Sequence, residues 1–239
     1  MTALGSFRSG AYRQALAALA VGAAAMSLAG PSALAAPETY AFDKTHTEVR
    51  FSWDHLGLSR QSGRFLDVEG SLTLDPDKAE ASRVEVVIKI PSLWTGVKEL
   101  DGILKSREFF DAATNPVATF RSTDVARTGD KTARVTGDLT IAGTTKPAVL
   151  DVTWNFSGEH PLSKINPVYA GLYYTGFSAR TQILRSDWGI TRTIPYVSDE
   201  IRIEIEAELK RTSAAPVAAP APAGGEAGGG GAAGPPSRF

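Results

Sequence analysis

Hydrophobic and polar residues alternate strictly along three stretches of the chain. Over residues 47–55, Val49, Phe51, Trp53 and His55 share a face; over residues 83–90, Val84, Val86, Ile88 and Ile90 do. Over residues 201–209, Ile201, Ile203, Ile205, Ala207 and Leu209 alternate with Arg202, Glu204, Glu206 and Glu208. A period of two with charge on the opposite face marks antiparallel sheet, wet on one side and apolar on the other. Further strands are predicted over 64–75, 117–126, 132–141, 147–157 and 174–185. Turn residues separate them at Asp75-Pro76-Asp77, Gly129-Asp130 and Ala142-Gly143-Thr144. One segment breaks the rhythm. Leu100, Ile103, Leu104 and Phe110 stand near helical spacing, which predicts one short helix near 98–108, and Asn115-Pro116 returns the chain to an extended path.

About eight short strands with a single apolar face each, and one helix, define an all-β fold. A closed barrel and a sandwich both satisfy the pattern, and a barrel has the advantage of leaving no edge strand. The interior of an eight-stranded barrel is either filled by side chains or holds one ligand, and alternation alone does not decide which. The inward stripe comprises Val49, Phe51, Trp53, Phe65, Val86, Ile88, Phe120, Leu139, Trp154, Phe156, Phe177 and Ile183.

Composition trims the chain at both ends. Residues 1–35 contain no Asp or Glu, carry Arg8 and Arg13, and hold a 16-residue uncharged run from Ala15 to Gly30 before Ala33-Leu34-Ala35. A basic start, an apolar run too short to span a bilayer and a small-x-small site are expected of a cleaved export signal, with the periplasm as destination. Residues 213–239, rich in Ala, Pro and Gly, cannot bury enough apolar surface to order themselves and are expected to be a disordered tail. The barrel domain is thus expected over 36–212. No cysteine is present, which removes disulfides, thiolate nucleophiles and thiolate metal ligands. The net charge of −1, or −3 without residues 1–35, is spread among scattered charges and supports no nucleic-acid partner.

Candidate chemistry is sparse. His46 and His55 stand nine residues apart on one strand, roughly 30 Å when extended, so that strand cannot bring both to one metal. His46 reads as a structural hydrogen-bonding residue, and His160 lies in a loop. His55 shares the inward face with Phe51 and Trp53, either as a core histidine or as a polar contact inside a cavity. Gly176-Phe177-Ser178-Ala179-Arg180 lacks the final glycine of a nucleophile elbow and sits in a strand-like run. The tail glycines lack the Lys and Ser/Thr of a phosphate loop. In Arg185-Ser186-Asp187-Trp188-Gly189, the spacing lets Arg185 and Asp187 share a strand face, with Trp188 closing a barrel end or Arg185 placed near a headgroup at a pocket mouth. No converging acid–base pair is visible, so no enzyme, metal or cofactor is expected.

Several short motifs recur in a set order. They are Asp43-Lys44-Thr45-His46-Thr47, His55-Leu56-Gly57, Gly63-Arg64-Phe65, Leu104-Lys105-Ser106, Phe109-Phe110-Asp111 and Phe120-Arg121-Ser122-Thr123. Residues 137–147, beginning Gly137-Asp138-Leu139-Thr140, then Gly176-Phe177 and Arg185-Ser186-Asp187-Trp188-Gly189, close the series. From about Tyr40 to Leu209 the chain resembles the YceI-like family, bacterial periplasmic polyisoprenoid-binding proteins with a lipocalin-like β-barrel. In one place it departs. Ile103 stands where the family usually has a histidine, which makes that spot more apolar. The resemblance implies an antiparallel lipocalin-like barrel of about eight strands with one short helix. It also implies a non-covalently held isoprenoid or fatty-acyl lipid and makes a homodimer plausible, while the short apolar run and the missing cysteine lead to the expectation of no stable membrane anchor. The ligand-binding residues it points to are Phe51, Trp53, His55, Phe65, Val86, Ile88, Phe120, Leu139, Trp154, Phe177, Ile183 and Arg185. The rival readings are a stress-response or interaction domain with a filled core, and an accessory factor to an isoprenoid-processing enzyme.

Overall fold

In the computed structural model, residues 36–213 are described. The expected export signal over 1–35 and nearly all of the expected tail over 213–239 lie outside the described residues. The chain alternates charge and apolar side chains for most of this length, and it forms ten strands and one helix. The strands are β1 (Glu38–His55), β2 (Ser59–Phe65), β3 (Val68–Leu74), β4 (Arg83–Lys89), β5 (Leu93–Trp94), β6 (Val117–Arg127), β7 (Thr132–Ile141), β8 (Thr144–Glu159), β9 (Tyr173–Leu184) and β10 (Glu200–Arg211), and the helix is α1 (Lys98–Lys105). Eight strands close a ring in the order β1, β3, β4, β6, β7, β8, β9, β10, with β10 pairing back onto β1. Every pairing is antiparallel. The architecture is therefore a closed barrel and not a sandwich.

β1 is long because it serves two neighbours on one side. Its first residues pair with β3, and its second half pairs with β2, from Val49 opposite Phe65 to His55 opposite Ser59. The stretch 64–75, expected as one strand, is divided between β2 and β3. The amides of Leu66 and Asp67 leave the ladder and donate to Ser92 Oγ at 3.1 and 3.0 Å. The helix is shorter than expected. It ends where the Ser106 amide and hydroxyl both return to the Ile103 carbonyl.

Three register shifts modify the alternation. In β1 the shift between Phe42 and Thr47 lets both residues line the interior, although their numbers differ in parity. In β6 the shift between Ser122 and Asp124 moves the inward set from Ala118, Phe120 and Ser122 to Val125. In β8 the shift between Trp154 and Phe156 turns Phe156 outward. It pairs with Gly176 and is 40% exposed, so its expected place in the interior is corrected. A bulge inserts one residue on one strand, and every later side chain changes face.

The two ends of the barrel are built differently. At one end lie the loops 75–82, 128–131 and 160–172. At the other lie the long connection 90–116, which contains α1, the tight turn at Ala142-Gly143, and the connection 185–199. This second end is plugged. Residues Arg185–Trp188 form a 3₁₀ turn rather than a strand, so Arg185 and Asp187 do not share a strand face; Asp187 is exposed. Trp188 is buried and donates from Nε1 to the Leu139 carbonyl at 3.1 Å. Phe51, Phe65 and Phe110 pack below it with ring centroids 5.3–6.3 Å apart. Two glycines make room for these rings. A Cβ on Gly63 would stand 2.7 Å from Phe51 Cζ, and one on Gly137 would stand 2.4 Å from Phe120 Cζ and 2.5 Å from the Arg121 carbonyl.

Candidate functional site

Not all inward side chains meet across the barrel. Val68, Ile90 and Leu209 are 1% exposed, as in a packed core. Val84, Val86, Ile88, Ile183, Ile201, Ile203 and Ile205 also point inward but are only partly buried. They face a cavity of about 630 Å³. This volume lies within the roughly 300–1,000 Å³ of small-molecule sites. The cavity runs from the plugged end, where Leu100, Leu104, Phe109 and Phe110 line it, to the opposite loops, where Pro76, Arg83, Arg127, Asp130 and Lys131 line it and are exposed. It opens between loop 75–82 and the β6–β7 turn.

All twelve sequence-derived site residues border this cavity. Phe51, Trp53, Phe65, Phe120 and Leu139 are buried toward the plugged end, and Phe51 stacks on Trp53 with centroids 5.7 Å apart. Val86 and Ile88 on β4, Trp154 on β8, and Phe177 and Ile183 on β9 form the half-buried wall. Trp154 and Phe177 stack at 6.4 Å, and Trp154 Nε1 donates to Thr175 Oγ1 at 2.9 Å, which satisfies the indole without reaching into the cavity.

The two polar members differ. His55 is half-buried at the end of β1, where its backbone bridges to Val197. Arg185 is 6% exposed, and its guanidinium donates to four backbone carbonyls: Ile190 and Arg192 at 2.9 Å from Nη1, Ser198 at 2.9 Å from Nε, and Val197 at 3.1 Å from Nη2. Four of its five N–H groups are thus committed to the plug. Burial pushes its pKa below the ordinary value, an effect opposed by the nearby Asp199 carboxylate. Asp199 itself accepts from the Ser186 amide and hydroxyl at 2.9 and 2.7 Å, fixing the same turn.

Other candidates fall outside the cavity. Ser178 lies within β9 and donates to Glu206 at 2.6 Å, with no histidine partner. Asp43, His46 and Glu208 come together on the outer wall at the β1 bulge, their ligand atoms within 4.8 Å of one another. The hydrogen bond with Asp43 at 3.1 Å holds the pKa of His46 above its ordinary value. No helix among the described residues is long and apolar enough to cross a membrane.

Residues at the mouth escaped the sequence reading. Arg83 and Arg127 are strand-end residues and Lys131 lies in a turn, and no periodicity marks the three as neighbours. Ile201, Ile203 and Ile205 were legible as inward positions, yet only the closure of β10 onto β1 makes them cavity wall.

With this geometry in view, similarity to known proteins becomes decisive. The family model of the YceI-like domain matches residues 40–209, the whole ring of strands. The chain belongs to the YceI-like family. A UPF0312 protein of Pseudomonas savastanoi pv. phaseolicola is 40% identical over 198 residues, covering 82% of this chain and 96% of its own. Among solved structures, BcnA of Burkholderia cenocepacia superimposes with a TM-score of 0.61 at 24% identity, over 70% of this chain and 98% of its own. A polyisoprenoid binding domain from Saccharophagus degradans, implicated in plant cell wall breakdown, superimposes with a TM-score of 0.51 at 15% identity, over 72% and 98%.

Proposed function

We propose that this YceI-like protein is a periplasmic carrier that takes the apolar chain of an isoprenoid or fatty-acyl amphiphile into its barrel and performs no covalent chemistry on it. The observation that carries this reading is the unfilled interior. Seven aliphatic side chains on β4, β9 and β10 point inward and remain partly exposed, because a cavity of about 630 Å³ lies between them. A chain buried there gains about 0.8 kcal/mol per methylene. About fifteen methylenes give on the order of 10 kcal/mol before the costs of association are subtracted. The likeness in fold to a polyisoprenoid binding domain supports a ligand of this shape, and the leader pattern of residues 1–35 supports export.

The test is organic extraction of protein purified from the periplasm, followed by mass spectrometry, with Ile203→Trp as the cavity-filling control. The wild type should yield a long-chain lipid and the folded variant much less. Equal recovery from both would place the lipid on the surface and defeat the carrier reading.

A further inference from the structure

Resting on the carrier reading, we propose that the amphiphile lies with its chain toward the plugged end and that the mouth selects an anionic head, a carboxylate or a phosphate monoester, through Arg127, Arg83 and Lys131. The cavity is asymmetric in its polar groups. Toward the plugged end the strongest donors are already used. Arg185 serves four carbonyls, and Trp188 serves Leu139. The space beside them is bordered mainly by aromatic and aliphatic side chains, with His55 and Gln61 its further polar neighbours, so an ionised head placed there would exchange its hydration for few partners.

At the mouth the arrangement is reversed. Arg127 donates from Nε to the Gly129 carbonyl at 3.1 Å and from Nη2 to the Asp130 carbonyl at 3.2 Å, which fixes its guanidinium across the β6–β7 turn. Arg83 is held in the same manner, its Nη1 on the carbonyls of Glu80 and Ser82 at 2.7 and 2.6 Å. Lys131 follows the turn and borders the same opening. Backbone carbonyls orient these two guanidinium groups without neutralising them. Two carboxylates share the rim. Asp75 is turned into its own loop, where Oδ1 accepts from the amides of Asp77 and Lys78 at 3.0 and 2.8 Å, and Asp130 is exposed. Three cations against these two acids line the opening; Asp77, Lys78 and Glu80 of loop 75–82 do not border the cavity, so the cationic excess is confined to its lining. The head of an amphiphile would stay hydrated there and feel that field while its chain is buried.

The experiment measures binding to the purified, delipidated full chain by tryptophan fluorescence, since Trp53 and Trp154 border the cavity. Chain-matched pairs separate head from tail: oleate against oleyl alcohol and oleylamine, and geranylgeranyl phosphate against geranylgeraniol. Each exposed cation is worth roughly two- to fivefold, so the anions should bind about tenfold more tightly than the alcohols at about 0.1 M salt. The gap should close at about 1 M salt, where the screening length falls to roughly 3 Å. Lys131→Glu should weaken the anions about tenfold and leave the alcohols unchanged. A larger gap between anion and alcohol in one chain-matched pair than in the other tells carboxylate from phosphate. Anions that bind no better than the alcohols or the amine overturn the head selectivity while leaving the carrier reading intact. If none of the five compounds binds, the carrier reading itself fails.

Discussion

The two ends of this barrel are made from the same alternating strands, yet one is sealed and the other is open. The sealed end receives the two long connections, 90–116 and 185–199. These are long enough to fold back and carry buried side chains of their own: Leu104 on α1, then Arg185, Trp188 and Ile190. At the open end, loop 75–82 and the turn 128–131 are short and their side chains stand around the opening, while the longer connection 160–172 buries none of its side chains. Part of that end is still closed, beside β1, β3 and β10, by Tyr40, Leu72, Leu74 and Leu209. The hydroxyl of Tyr40 donates to Glu38, which also accepts from Arg211 at 2.7 Å. Burial and that bond to a carboxylate push the Tyr40 pKa up to about 12. The lesson of the comparison is that strand patterning makes a tube, and the connections decide whether the tube is a core or a container.

Removing the Arg185 guanidinium should break the contrast most severely. Arg185→Leu keeps the bulk but strips four carbonyls of their donor. An orphaned buried acceptor costs roughly 1–3 kcal/mol, so the loss of stability in urea unfolding should be at least about 3 kcal/mol. A loss below about 1 kcal/mol would show that the plug is dispensable.

A paired measurement comes next. Phe65→Ala, in the aromatic cluster, should cost about 3–5 kcal/mol. Ile203→Ala, on the cavity wall, should cost only about 1 kcal/mol, because its side chain already borders empty space. Equal losses would mean that the wall is as tightly packed as the plugged end.

Gly137→Ala probes the boundary between the two regions. The added methyl meets the Phe120 ring and the Arg121 carbonyl, and backbone cannot yield as a flexible side chain can. A loss of about 1–3 kcal/mol is expected in the same assay. An unchanged midpoint would show that β6 and β7 separate freely.

The smallest effect lies on the outer wall and serves as a control. Hydrogen bonds from Lys44 and Lys89 lower the Glu69 pKa from 4.5 to about 2. A carboxylate with a depressed pKa in the folded state adds stability that is present above its unfolded value and is lost as pH falls through the folded one. Melting temperature should therefore decline slightly more steeply between about pH 4.5 and 2 in the wild type than in Glu69→Gln. The group is exposed, so added salt should erase the difference. A difference that survives salt would contradict this assignment.

Periodicity alone determined that this chain is antiparallel sheet, and it identified most of the inward face. Val49, Phe51 and Trp53, or Ile201, Ile203 and Ile205, must share a face whatever their partners, because side-chain direction along a strand is a local property of the backbone. The ordered motifs, taken together, pointed to the family and to a barrel. Tertiary structure decided the rest. Bulges moved Phe42 inward and Phe156 outward, since a single inserted residue reverses the face and leaves no trace in composition. Arg185 became part of a plug because the four carbonyls that receive it come from residues 190–198, brought to it by the fold of that connection. The cations of the mouth, Arg83 and Arg127 at strand ends and Lys131 in a turn, acquired a common position only when the ring closed. The cavity itself is a difference between the volume a ring of eight strands encloses and the volume its side chains fill, and that difference belongs to no single stretch of sequence.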